Sequence, residues 1–251
     1  MQYYIGWDVG AWHCDKPSRP QDALCVLKDG ESGPELVGTA WRGNLKSKLN
    51  ESRGQSLVRD ILSCCELDTS QRFESVIAID TPLGWPSSLT TLLAGGDIVE
   101  IREFRQNPYL FRKTERFLAN RGFKPLSAVQ DMIGSASTKG IHFLRAIDSQ
   151  SHDVGVWKAN ESEQTITVIE TYPAPCKSSK VLGELFDSIE KSELFREQVE
   201  GKREDVPDAL RCALVAWLYA KKPDSLAAPN QDTHLEEGWI WVPKDTFCQA
   251  N

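Results

Sequence analysis

Tyr-Tyr-Ile-Gly-Trp (3–7) is an apolar run that stops at Asp8, with Gly10 two residues beyond. DALCVL (22–27) and ELVGTAW (35–41) are two further extended runs, separated by the turn-rich KDGESGP (28–34). Together they predict three strands, antiparallel because their connections are short. QSLVRDILSCCEL (55–67) carries apolar residues at 57, 58, 61, 62 and 65, the spacing of a helix. ESVIAIDTP (74–82) is continuously apolar until Asp80 and Pro82, which predicts a buried strand. A strand reached through a helix lies parallel to its neighbour. Residues 84–137 are rich in Gly, Ser, Arg and Pro and read as short helices and loops. Beyond them, STKGIHFLRAI (137–147) predicts a helix, and QTITVIETYPA (164–174) alternates as a strand before Glu170 and Pro173 end it. SKVLGELFDSI (179–189) and DVPDALRCALVAWLYAKK (205–222) are helical, and EGWIWVP (237–243) is a late short strand.

This order predicts one α/β domain over residues 1–251. Its sheet is mixed and five-stranded, in the order 3-2-1-4-5 with strand 2 antiparallel, flanked by helices. Residues 84–137 form a helical insertion, a lid over the sheet, after strand 4. Such a sheet brings the carboxyl ends of its first, fourth and fifth strands to one edge, where open α/β sheets bind ligands. Those strands end in Asp8, Asp80 and Glu170. Acids held together repel one another, and a hard divalent cation, Mg²⁺ or Mn²⁺, relieves the repulsion. Two such ions about 3.5–4 Å apart activate a water and stabilise the leaving oxygen in phosphodiester cleavage. Asp205 and Asp208 add acids three residues apart at a helix start. On that helix, Leu210, Ala213, Leu214, Trp217 and Leu218 make one stripe. Asp208 heads another stripe, Cys212, Val215, Ala216 and Tyr219, and points at the strand ends only if these smaller residues face the sheet. Asp205 also stands where an N-cap belongs, with Pro207 and Asp208 in the first turn.

Composition narrows the classes. With 40% apolar residues and eight tryptophans, the 251-residue chain has the makings of a packed globule. Its net charge of −7 means that any nucleic-acid contact must be local. The stretch 101–124 offers one: Arg102, Arg105, Arg112, Lys113, Arg116, Arg121 and Lys124 stand against Glu103 and Glu115, with Tyr109, Phe111, Phe117 and Phe123 interleaved. Arginines among aromatics suit a phosphate backbone and stacked bases; an amphipathic lid with a solvated charged face is the competing reading. Seven scattered cysteines without a CxxC pair argue against a zinc ribbon or disulfide framework and for a reducing, cytoplasmic setting. The four histidines show neither HxxxH nor HExxH spacing. The first residues lack the basic segment of a signal peptide, and no apolar stretch approaches the roughly 18 residues of a membrane span. Cys64, Cys65, His142, His152, Trp239 and Trp241 read as structural residues, and Gly95-Gly96 as a turn.

GWDVGA, VIAIDTPLGWP, FRKTE, IETYPA, DVPDALRCALVAWL and EGWIWVP, in that order, give the chain a resemblance to the proteins grouped as domain of unknown function 429. Those proteins are described as predicted nucleases of ribonuclease H-like fold. The resemblance covers nearly the whole chain and implies that fold. It also implies a metal site like that of Holliday-junction resolvases, which by position falls on Asp8, Asp80, Asp205 and Asp208, with Glu170 an extra acid. FRKTE makes Arg112 and Thr114 the candidates for phosphate contact. The expected activity is a metal-dependent nuclease with Asp8, Asp80, Asp208 and Glu170 as catalytic acids. Two alternatives stay open: a nucleic-acid or protein binder with an inactive acidic pocket, and a small-molecule phosphohydrolase or a phosphotransferase of the actin-like, sugar-kinase type. The last shares a strand ending Asp8-Val9-Gly10 but expects a second glycine-bearing phosphate loop, which Asp80-Thr81-Pro82-Leu83-Gly84 matches poorly.

Overall fold

The computed structural model describes residues 1–13, 21–161, 164–192, 195 and 204–249. The protein is α/β, a mixed sheet flanked by helices. Strands β1 (Gln2–Asp8), β2 (Asp22–Asp29), β3 (Pro34–Leu36) and β4 (Trp41–Gly43) come first, then helices α1 (Lys46–Glu51) and α2 (Gly54–Cys64). Strand β5 (Glu74–Asp80) follows, then α3 (Ser87–Leu93), α4 (Lys113–Ala119) and α5 (Gly134–Ala146). After these come the strands β6 (Gln150–Asp153), β7 (Val156–Glu161) and β8 (Gln164–Thr171). Helices α6 (Pro173–Cys176), α7 (Lys180–Glu190) and α8 (Asp205–Lys221) and strand β9 (Ile240–Trp241) complete the fold.

Nine strands pair among the described residues, in the order β3-β2-β1-β5-β8-β7-β6, with β4 also on β2 and β9 on β8. The expected five-stranded sheet in the order 3-2-1-4-5 is therefore corrected, although β1 and β5 do lie side by side in parallel. The segment 35–41 is not one strand: the chain turns away at Gly38, φ 66°, and returns as β4. The hairpin β6–β7, turning at Gly155 with φ 72°, leaves β7 antiparallel to β8, so β2 is not the lone antiparallel strand. All of β6 is exposed, so no hydrophobic alternation announced it.

The sheet separates two apolar layers. On one face Tyr4, Ala23, Cys25, Val76, Ala78 and Ile169 pack with α7 and α8. On the other Ile5, Trp7, Leu24, Ile77, Ile79 and Val168 pack with α1, α2 and α5. Helix α8 is buried on nearly every side, from Val206 to Leu218. It lies hard on β1 because Gly6 has no side chain: a methyl there would collide with the carbonyl oxygen of Ala209 and the backbone nitrogen of Ala213. The contact with β1 is thus made by Ala209 and Ala213, and both expected stripes are buried between Leu210 and Leu218, with Asp208 and Tyr219 half-buried at the ends of the second.

Candidate functional site

Asp8 and Asp80 are direct register partners at the carboxyl ends of the adjacent parallel strands β1 and β5. Side chains alternate along a strand, so both acids fall on the face of Tyr4 and Ala78, beneath α8. They line a cavity of about 190 Å³ together with Glu170, Tyr172, Pro125 and Leu126. Burial pushes the Asp8 carboxyl well above the usual range, and Asp80, Asp208, Asp205 and Asp22 push it further. Burial likewise lifts Asp80 to about 8, reinforced by Asp208 and Glu170 and partly offset by Lys177. Neither carboxylate forms an ion pair or hydrogen bond with the described residues. Tyr172 leans on the same charge: burial, then Asp80, raises its phenol, whose hydroxyl donates to the Lys124 carbonyl at 3.1 Å.

The other expected site residues are engaged elsewhere. Glu170 is the register partner of Ile79, not of Asp80, so it points to the opposite face of the sheet from the aspartates. There it binds Arg112 through both oxygens, Nη1–Oε2 2.8 Å and Nη2–Oε1 2.6 Å, and accepts the Leu83 N–H at 2.9 Å. Arg112 also donates from Nε to Glu115 at 2.9 Å and from Nη1 to the Glu237 carbonyl at 3.0 Å. Its side chain is 1% exposed, which corrects the expectation that it contacts a substrate phosphate. These carboxylates hold the guanidinium protonated, while burial raises Glu115 against the pull of Arg112. Thr114 is corrected likewise: it is fully buried, and its hydroxyl accepts the Ile240 N–H at 2.9 Å. FRKTE thus fastens α4 to the sheet end.

Asp205 neither caps its helix nor joins the acid pair. It is the first residue of α8 and accepts from Arg42 Nε at 2.7 Å and from the Gln21 N–H at 3.2 Å. Asp208 lies close enough to raise both Asp8 and Asp80. It is nonetheless held by Arg211 at 2.8 Å and Lys177 at 3.3 Å. Among the described residues no three His, Cys, Asp or Glu side chains are grouped so as to hold a metal ion. The four expected acids lie near enough to act on one another, but only Asp8 and Asp80 lack an ion pair among the described residues; Asp205 and Asp208 already have cations.

Residues that sequence reasoning passed over stabilise this ring. Asp22 accepts from Trp7 Nε1 at 3.1 Å, the Gly10 N–H at 2.9 Å and the Leu45 N–H at 2.8 Å, and pairs with the fully buried Lys139. Burial still raises Asp22, against the pull of Lys139 and these donors. The pair anchors the turn after Asp8. No local pattern exposes it, because Asp22 opens a strand and Lys139 sits in a helix far along the chain. Lys177 and Arg211 carried a fainter signal, one following ETYPA and the other inside the α8 motif.

The basic stretch is dispersed. Arg102 pairs with Glu100 at 2.8 Å, Lys113 pairs with Asp232, and Arg121 lies over Phe117, 3.6 Å from the ring centre. Arg105, Arg116 and Lys124 remain, around a second cavity of about 230 Å³. None of the helices is long and apolar enough to cross a membrane among the described residues. The chain matches no protein-family model, no curated protein and no solved structure.

Proposed function

We propose that this chain is a divalent-cation-dependent nuclease that hydrolyses a nucleic-acid phosphodiester, with Asp8 and Asp80 as its essential acids. The observation that carries the reading is their placement: two carboxylates without an ion pair among the described residues, in register on adjacent parallel strands, lining one cavity. The donor chemistry fits a hard cation, because both side chains offer only oxygen. Two carboxylates rather than four also fit Mg²⁺, which keeps several waters and is bound through one or two carboxylates plus substrate phosphates. A bound ion of this kind supplies a Lewis acid for a phosphoryl oxygen and a water that ionises nearer neutrality. Asp8 and Asp80 would hold it, and both would have to be deprotonated to do so, which their raised pKa values oppose in the absence of a cation. Lys177, 43% exposed beside Asp208, offers a positive charge toward the substrate. The Arg112–Glu170 pair serves as a positioning device that keeps the Thr81-Pro82-Leu83 turn against the sheet end, through the Leu83 N–H. The resemblance of the motifs to predicted ribonuclease H-like nucleases supports the same reading.

Asp8→Asn and Asp80→Asn should each abolish cleavage of single-stranded, duplex or branched DNA and RNA in Mg²⁺ or Mn²⁺ while nucleic-acid binding persists. Cleavage by neither wild type nor variants would show a binder with an inactive acidic pocket. Cleavage of nucleotides or phosphate monoesters alone would move the activity to small-molecule phosphohydrolysis.

A further inference from the structure

Resting on the nuclease reading, we infer that the second cavity is a stacking subsite for an unpaired nucleobase next to the scissile phosphate, so that the substrate is single-stranded. Its walls include Phe104, Phe111 and Phe123, and its cations are Arg105, Arg116 and Lys124. Two acids also reach it: Glu115 is ion-paired with Arg112, while Asp131 accepts the Ser127 N–H at 2.8 Å and keeps its charge, so three cations face one charged acid. The charge left to a ligand is therefore positive, inside a chain of net charge −7. Phe104 meets Phe111 edge to face, ring centres 5.7 Å apart, and is 60% exposed, so its ring has a face open to a ligand.

Pro125 and Leu126 line both this cavity and the one that holds Asp8 and Asp80, so the two sites share a wall. The Tyr172 hydroxyl ties that wall to the acid site through the Lys124 carbonyl. A strand whose phosphodiester lies at the aspartates thus has its neighbouring unit beside the aromatics. Aromatic faces stack on any base, and surrounding cations take the flanking phosphates. At about 230 Å³ the cavity is smaller than the roughly 300 Å³ at which drug-sized pockets begin, room for one ring system and not for a stacked run. A base within a duplex would have to be flipped out to enter.

The test is binding of short fluorescein-labelled homopolymers in EDTA, with DNA and RNA arms, each as a single strand, a duplex and a single strand carrying an abasic site. Wild type should bind the intact single strand more tightly than the duplex or the abasic strand, and the DNA and RNA arms identify which sugar is accepted. Phe104→Ala, which removes an exposed ring, should weaken single-strand binding about tenfold, and Phe104→Trp should retain it. Arg105→Gln should flatten the dependence of log affinity on log salt by about one phosphate contact. Duplex bound as tightly as single strand, no loss from the abasic site, or Phe104→Ala binding like wild type would each overturn the inference. Base-dependent binding without any cleavage in Mg²⁺ or Mn²⁺ would keep the subsite and reject the nuclease. Cleavage that is indifferent to Phe104 would do the reverse.

Discussion

Asp80 shows how much one position can hold against its own charge. It is raised to about 8 chiefly by burial, pressed further by Asp208 and Glu170 and relieved only in part by Lys177. Unfolded, the same side chain titrates near about 3.9. Between those values the folded protein keeps a proton that the unfolded chain has released, so stability is full below the unfolded value and is lost as pH rises through about 8. Asp80→Asn should therefore raise the Tm of the metal-free protein at about pH 9 and change it little at about pH 4. Thermal melts in EDTA across that range check this; a Tm difference independent of pH would count against the buried, uncompensated pair. Asp22 is more deeply buried than Asp80, yet it has Lys139 and three N–H donors, and buried acids of that kind are structural. Burial alone does not mark a candidate acid; burial without a partner does.

Among the elements, α8 and β1 set the site together. Gly6 lets Ala209 and Ala213 rest on the strand backbone, which brings the first turn of α8, with Asp208, toward the strand ends where Asp8 and Asp80 lie. Gly6→Ala places a methyl into the helix backbone and should destabilise the protein by about 1–3 kcal/mol through overpacking, read as a lower urea midpoint with unchanged m-value. Its stability at wild-type level would mean that α8 does not sit on Gly6. The pleat of β8 is the second determinant. Because Glu170 pairs with Ile79, its carboxylate leaves the aspartates and meets Arg112 on the other face.

Across the whole molecule, that ion pair joins segments distant in sequence. Arg112 links the end of β8, the start of α4 and the Glu237 carbonyl, while Glu237 in turn accepts from the Ser87 and Lys113 backbone N–H groups at 3.0 and 2.8 Å. The 84–133 segment is thereby held over the sheet end. Arg112→Met leaves Glu115 and Glu170 as buried, unpaired acids and should cost about 3–5 kcal/mol. The loss should shrink in Arg112→Met/Glu170→Gln, where one of the stranded charges is gone. Chemical denaturation of wild type, both single variants and the double variant, four proteins, measures it, and additive effects would mean that the two residues do not share a network.

Hydrophobic runs and their stops were enough to place β1, β2, β5, β8 and α8 and to see that β1, β5 and β8 end near acids, because a buried strand writes its limits into local composition. Asp8 and Asp80 were legible for that reason. The edge strand β6 was not, since a strand exposed on both faces has no apolar pattern to read. Nor were the partners of Glu170, Asp205 and Asp208. A run of residues states that an acid ends a strand or opens a helix; it does not state which face the pleat turns to or which distant arginine lies there. Register put Glu170 opposite Ile79, long-range packing brought Arg42 to Asp205 and Arg112 to Glu170, and the same packing left Asp8 and Asp80 with no direct ion pair among the described residues, Lys177 acting on Asp80 only from a distance. Charge compensation is a property of neighbours in space, so tertiary structure alone decided which acids are structural and which remain available for chemistry.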